Sequence, residues 1–245
     1  MSKIAIAVWN SSVKYFITKP FRVELTLLAD IMKNENFNWE TPMSHIIPRT
    51  PDFAAWSDSS IEAAGCFTVD LKFSWHIKWP YSITSWALKH FDVWSKEGEN
   101  LISIYLLEYA VIIINYAIVS HIGTDLNLCE NFQEQSLLNW CNNRTAIYWT
   151  RNAAISTKSG TALSRIFCSL WINNNINCVF DYINTKENII ADKISRSNNL
   201  FATDLQKLLQ EHTELQQCKP YQLSPSFLSC IIHALLNGQL SPLGQ

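Results

Sequence analysis

Between Phe73 and Trp79 apolar and polar residues alternate without a break: Phe73, Trp75, Ile77 and Trp79 stand against Lys72, Ser74, His76 and Lys78. A period of two marks a strand with one face covered and the other exposed. Two shorter apolar runs precede it, Phe53 to Ser57 and Ala64 to Val69, separated by only a few residues. Such close spacing predicts an antiparallel meander. The pattern then changes. Residues 101–122, LISIYLLEYAVIIINYAIVSHI, are apolar nearly all round, interrupted chiefly by Glu108, Asn115 and His121. Glu108 and Asn115 lie two helical turns apart, so a helix here carries one polar line, which suits a helix packed under a sheet and opening onto a site.

Strand-like runs at 136–142 and 176–183 then alternate with helical stretches at 144–156 and 161–174. Asn184, with Glu187 three residues on, has the form of a capping box that opens a helix through Ile189, Ile190, Ile194 and Arg196. Further helices are predicted near 201–211 and 225–237, the second with Ser224 as N-cap and Pro225 at its first position. A helix around 21–33 and a connector punctuated by Pro42, Pro48 and Pro51 come before the first strand. The order βββ-α-β-α-α-β-α predicts an α/β fold: a mixed sheet of five strands, three antiparallel and the later ones parallel, flanked by helices. A helical C-terminal extension follows, and the expected divisions are 1–50, 51–199 and 200–245.

Composition narrows the function classes. With 48% hydrophobic residues, ten Trp and twelve Phe, the chain can bury enough apolar area to fold, which excludes a disordered tail. Six Gly and no glycine-rich phosphate motif argue against a nucleotide loop. Seven Cys, an odd number without CxxC or zinc-type spacing, favour a reducing, intracellular compartment. The sequons at Asn10 and Asn143 then read as coincidental. Residues 101–122 are long and apolar enough for a membrane span. An acid inside it costs about 2.5–3.5 kcal/mol on insertion scales, and positive flanks are missing, so no membrane is expected and anchoring through 101–122 ranks last among the readings.

Carboxylates are few, which makes their positions informative. Asp58 ends the first strand, Glu108 sits on the long helix, and Asp192 lies early in the helix after the last strand. With the end of strand 136–142, these can converge at one edge of the inferred sheet. Clustered carboxylates tolerate one another with a cation between them, and their hard oxygens suit Mg²⁺. Each residue alone has a plainer reading: Asp58 as a turn cap, Glu108 as an ion-pair partner, Asp192 as a first-turn acid, Asn142-Asn143 as an N-cap.

Together the segments resemble a known family. WSDSSIEAAGCF, NLISIYLLEYA, LNWCNNRTAIYW and INTKENIIADKISR are similar, in order and interval, to four motifs of the RNase H domain of retroelement polyproteins, nearest to the tyrosine-recombinase (DIRS) group. The resemblance spans about residues 50–198. It implies hydrolysis of RNA in an RNA–DNA hybrid, with two Mg²⁺ held by four acids. Asp58, Glu108 and Asp192 match three of them. The fourth position falls on Asn142, where the family has Asp, and an amide cannot neutralise Mg²⁺ as a carboxylate does. The resemblance therefore implies an impaired copy, with Ser59, Asn143, Arg144 and Arg196 facing nucleic acid. It also implies a link to the reverse-transcriptase part of the same polyprotein, with 1–50 a remnant of that connection. A non-catalytic nucleic-acid-binding or connection domain is the alternative. From Ser136 to Ser197 seven Lys or Arg face three acids, a balance of +4 in a chain of −2 overall, which lends the nucleic-acid reading modest support.

Overall fold

In the computed structural model the chain divides into two compact units, Met1–Thr41 and Pro42–Gln245. The described residues are 50–89, 102–125, 135–152, 155, 157–172, 176–197 and 202–240, together with Arg22, Leu25, Thr26, Ala29 and Lys33. Those last five are all helical. The remainder of the helix expected at 21–33, the prolines at 42 and 48, and the sequon at Asn10 lie outside the described residues.

The three predicted strands form the meander: β1 (Phe53–Ser59), β2 (Ala63–Thr68) and β3 (Phe73–Lys78), paired antiparallel with Asp58 opposite Gly65 and Cys66 opposite Trp75. After helices α1 (Tyr81–Lys89) and α2 (Ile104–Asp125), β4 (Gln135–Cys141) runs parallel to β1 on its free side. Helices α3 (Arg144–Asn152) and α4 (Lys158–Ile172) lead to β5 (Ile176–Tyr182), parallel to β4. Then come α5 (Ile189–Arg196), α6 (Ala202–Gln210), the two-residue β6 (Lys219–Pro220) and α7 (Pro225–Asn237). The sheet has six strands in the order β5-β4-β1-β2-β3-β6, not the expected five. Two residues of β6 are too few to show any alternation, and Pro220 is tolerated because the strand is an edge. Helix α1 was likewise not expected, although Ile83 and Ala87, one turn apart, are both buried.

Two cores hold the sheet. On one face α2 supplies Leu106, Leu107, Val111, Ile113 and Ile114, all 0–1% exposed, against β1, β2 and β4. This is why its apolar surface runs all round: helices α3, α4 and α7 cover its back. Ile104–Ile122 is long and apolar enough to cross a membrane, and 78% of its most apolar stretch is buried within the protein. Asn115 does not share a polar line with Glu108 into a site. Its amide donates to Asn139 Oδ1 (2.6 Å) and accepts from the Cys66 thiol (2.9 Å), while Asn139 donates to Ser57 Oγ (3.0 Å). This satisfied network sits beneath the sheet, where an unpaired amide would cost about 1–3 kcal/mol.

On the other face Phe67, Ala191, Ile194, Leu205, Leu209, Leu215 and Cys218 form a second core. It accounts for a departure from the alternation of β3: Ser74 is fully buried and His76 half-buried, because the C-terminal segment covers the face the pattern left to solvent. Gly65 lets α5 come close, since a Cβ there would stand 2.1 Å from Ile194 Cγ2.

Candidate functional site

The Gly65 contact sets the geometry of one corner. With α5 seated on β1 and β2, Ser195 lies over Asp58, and its hydroxyl donates to Asp58 Oδ2 at 2.5 Å. Two more bonds lock the helix to the strand end: Ser60 Oγ donates to Ser195 O (2.6 Å), and Asn188 Nδ2 donates to Ser57 O (3.1 Å). The expected capping box is absent. Asn184 accepts instead from Lys186 N–H (3.0 Å) in a turn, and the N-cap of α5 is Asn188, whose side chain makes no capping bond because it is committed to β1.

Asp58, Glu108, Asn142 and Asp192 come together here. Asp58 is 3% exposed, accepts from the Asn142 side chain and lies within electrostatic reach of Asp192 and Arg196. Burial is the main cause that pushes its carboxyl up to about 6; the Ser195 bond opposes the shift and Asp192 adds to it. Glu108, also 3% exposed, reaches the corner from the opposite face on α2. Burial first, then the charge of Asp58, holds its carboxyl well above the usual range, against a hydrogen bond from Ser59 N–H. The Cys141 thiol stands 3.8 Å from Glu108 Oε2 and is itself pushed up by burial and by that acid. Asp192, partly exposed, is gripped by Arg196, whose Nε lies 2.8 Å from both carboxylate oxygens.

The other residues singled out in the sequence have varied surroundings. Ser59 is buried, its hydroxyl donating to Ser60 O (3.0 Å) and accepting from Trp79 Nε1 (3.2 Å). Asn143 is the N-cap of α3: its Oδ1 accepts from Thr145 N–H (3.0 Å) and Ala146 N–H (3.1 Å). Arg144 is exposed, with its guanidinium 4.4 Å from the centre of the Tyr182 ring, and Tyr148, one turn along α3, is 54% exposed. Sequence reasoning missed Ser195, Asn188 and Tyr182. Ser195 and Asn188 had a signal in their place beside Asp192, whereas Tyr182 had none.

Asp58, Glu108 and Asp192 are the residues that would hold the Mg²⁺ ions the motifs suggest, with Asn142 at the remaining position. Ser195 and Asn142 donate to Asp58, Arg196 holds Asp192, burial shifts the Glu108 carboxyl upward, and Asn142 offers an amide in place of a charged ligand. Among the described residues no three His, Cys, Asp or Glu side chains form a group that could hold a metal ion. The corner thus joins two buried acids, tied to α5 and Asn142, to an Asp192–Arg196 pair at its rim. No protein-family model, curated protein or solved structure matches this chain.

Proposed function

We propose that the chain is a degenerate RNase H-like domain of retroelement descent, whose ancestral reaction is metal-dependent hydrolysis of RNA in an RNA–DNA hybrid. One observation carries the reading: four separated segments with family-like motifs bring Asp58, Glu108, Asn142 and Asp192 to a single corner of the sheet. The strand order, with parallel β4 and β5 added to the free side of β1, supports it as well. In the ancestral site Asp58, Glu108, Asp192 and an acid at position 142 would hold Mg²⁺, which would supply positive charge for phosphodiester hydrolysis. This chain's residues hold the corner closed by hydrogen bonds, and Asn142 removes one of four charges. On this reading the protein works inside the cell, beside a reverse-transcriptase portion of the same polyprotein.

Engagement of Asp192 by Arg196 favours a second reading, a nucleic-acid-binding or connection domain with no cleavage. The two separate on a labelled RNA–DNA hybrid with Mg²⁺ or Mn²⁺. The impaired-nuclease reading expects little cleavage by the natural chain and measurable cleavage by Asn142→Asp. Binding without cleavage in both proteins selects the second reading. Robust cleavage by the natural chain, lost in Asp58→Asn, would refute impairment. Absence of hybrid binding by either protein would sink both.

A further inference from the structure

We propose that the outer edge of β5 is a guarded strand-pairing surface: Arg151 and Asp181 hold it closed, and without them it pairs antiparallel with β5 of a second copy of this chain. The inference does not depend on what the acid corner binds or cleaves. β5 ends the sheet, and among the described residues no strand lies beyond it. Ile183 N–H donates to Cys141 O (3.1 Å), so odd-numbered residues of β5 turn their backbone groups toward β4 and even-numbered ones turn them outward. The outward set is Ile176, Cys178, Phe180 and Tyr182. A row of such groups is a template for another chain. The strand, INCVFDY, offers little defence of its own: it holds no Lys, Pro or Gly and is rich in β-branched and aromatic residues.

Side chains occupy the row instead. Tyr116 OH donates to Ile176 O (2.9 Å), Arg151 Nη2 donates to Phe180 O, and Asp181 Oδ1 accepts from Tyr182 N–H (2.8 Å). Arg151 Nη2 also stands 3.7 Å from Asp181 Oδ1, which joins the last two caps into one clasp. As an exposed ion pair the clasp adds little stability. Its effect is to fill backbone groups that an incoming strand needs. A second copy fits the uncovered edge because outward residues must meet outward residues. A two-fold axis at Val179 achieves this along the whole strand, setting Ile176 opposite Tyr182 and Cys178 opposite Phe180. The same register sets each Asp181 opposite the other copy's Asn177, so no like charges meet directly.

Sedimentation equilibrium at high micromolar concentration, with amide hydrogen exchange across residues 176–182, tests this on the full chain. The natural protein is expected to be monomeric. Arg151→Ala/Asp181→Ala is expected to double in mass, and its Cys178 amide, which points outward, to exchange about tenfold more slowly than in the natural chain. A double variant with the mass of the natural chain overturns the inference. So does a heavier variant whose Cys178 amide exchanges at the natural rate, since it associates elsewhere. Both side chains are more than half exposed, so their removal leaves the two cores in place. If the double variant nonetheless fails to fold, the single variants decide by the same two readings: a rise in mass with a protected Cys178 amide in either supports the inference, and its absence from both overturns it. No step reads hybrid cleavage, so these outcomes and those of the nuclease assay are separable.

Discussion

At the scale of single residues, the two buried acids make stability depend on pH in a stated direction. Burial pushes the folded Asp58 carboxyl up to about 6, above its ordinary value of 3.8. The folded state therefore binds the proton more readily than the unfolded one. Its contribution is full below the unfolded value and is lost as pH rises through the folded one. Stability should increase as pH falls from 7.5 to 5, by about 1.4 kcal/mol from Asp58 alone, because pH 5 lies about tenfold in proton concentration beyond its folded midpoint. Glu108 shifts the same way. Calorimetry across that range checks the slope, and Asp58→Asn is expected to flatten it and to melt higher than the natural chain at pH 7.5. A natural chain less stable at pH 5 than at 7.5 would contradict this assignment. The acids themselves were legible because carboxylates are scarce in this chain and each sits in a distinctive local string. Their partners were harder to see: Ser195 and Asn188 act by bonds across 137 and 131 residues of sequence, which no local pattern encodes.

Among the elements, the long and periodic ones followed from pattern, and the short or tertiary-dependent ones did not. Helix α3 shows the favourable case. A cap was the plainer alternative for Asn143 beside its expected nucleic-acid-facing role, and in the structure it caps two N–H groups. Asn143→Ala should destabilise the protein by about 1 kcal/mol in urea unfolding, and Asn143→Asp by much less. Equal losses for the two would show that the side-chain oxygen does not cap the helix. The Asn184–Glu187 pair shows the opposite case. It satisfies the local rule for a helix start, yet α5 begins at Ile189, because Asn188 bonds to β1 and fixes the entry point from outside the segment. A helix start leaves four N–H groups unsatisfied, and where acceptors and tertiary bonds reach the chain there sets the boundary.

For the molecule as a whole, the mixed α/β arrangement was readable from the order of elements, whereas the sixth strand and the closed second face were not. The C-terminal segment covers that second face with Leu205, Leu209, Leu215 and Cys218 against Phe67 and Ile194, while its last helix packs on the first core, where Ser159 Oγ donates to Leu235 O at 2.6 Å. Deleting 202–245 should therefore yield a protein that binds a hydrophobic dye and loses near-ultraviolet circular dichroism. A truncated chain that still melts at the original temperature would show the segment to be dispensable. The helix at the centre of the other core carries a consequence for synthesis. Residues 104–125 leave the ribosome before β4 and β5, and Asp52 must wait 84 residues for its partner Ser136. Until then the most apolar stretch of the chain has no strands from the later half to pack against, and parallel pairing over such separations is slow. The nascent protein thus shows a membrane-like segment to targeting factors and chaperones, and the speed of translation through residues 126–182 sets how long that exposure lasts.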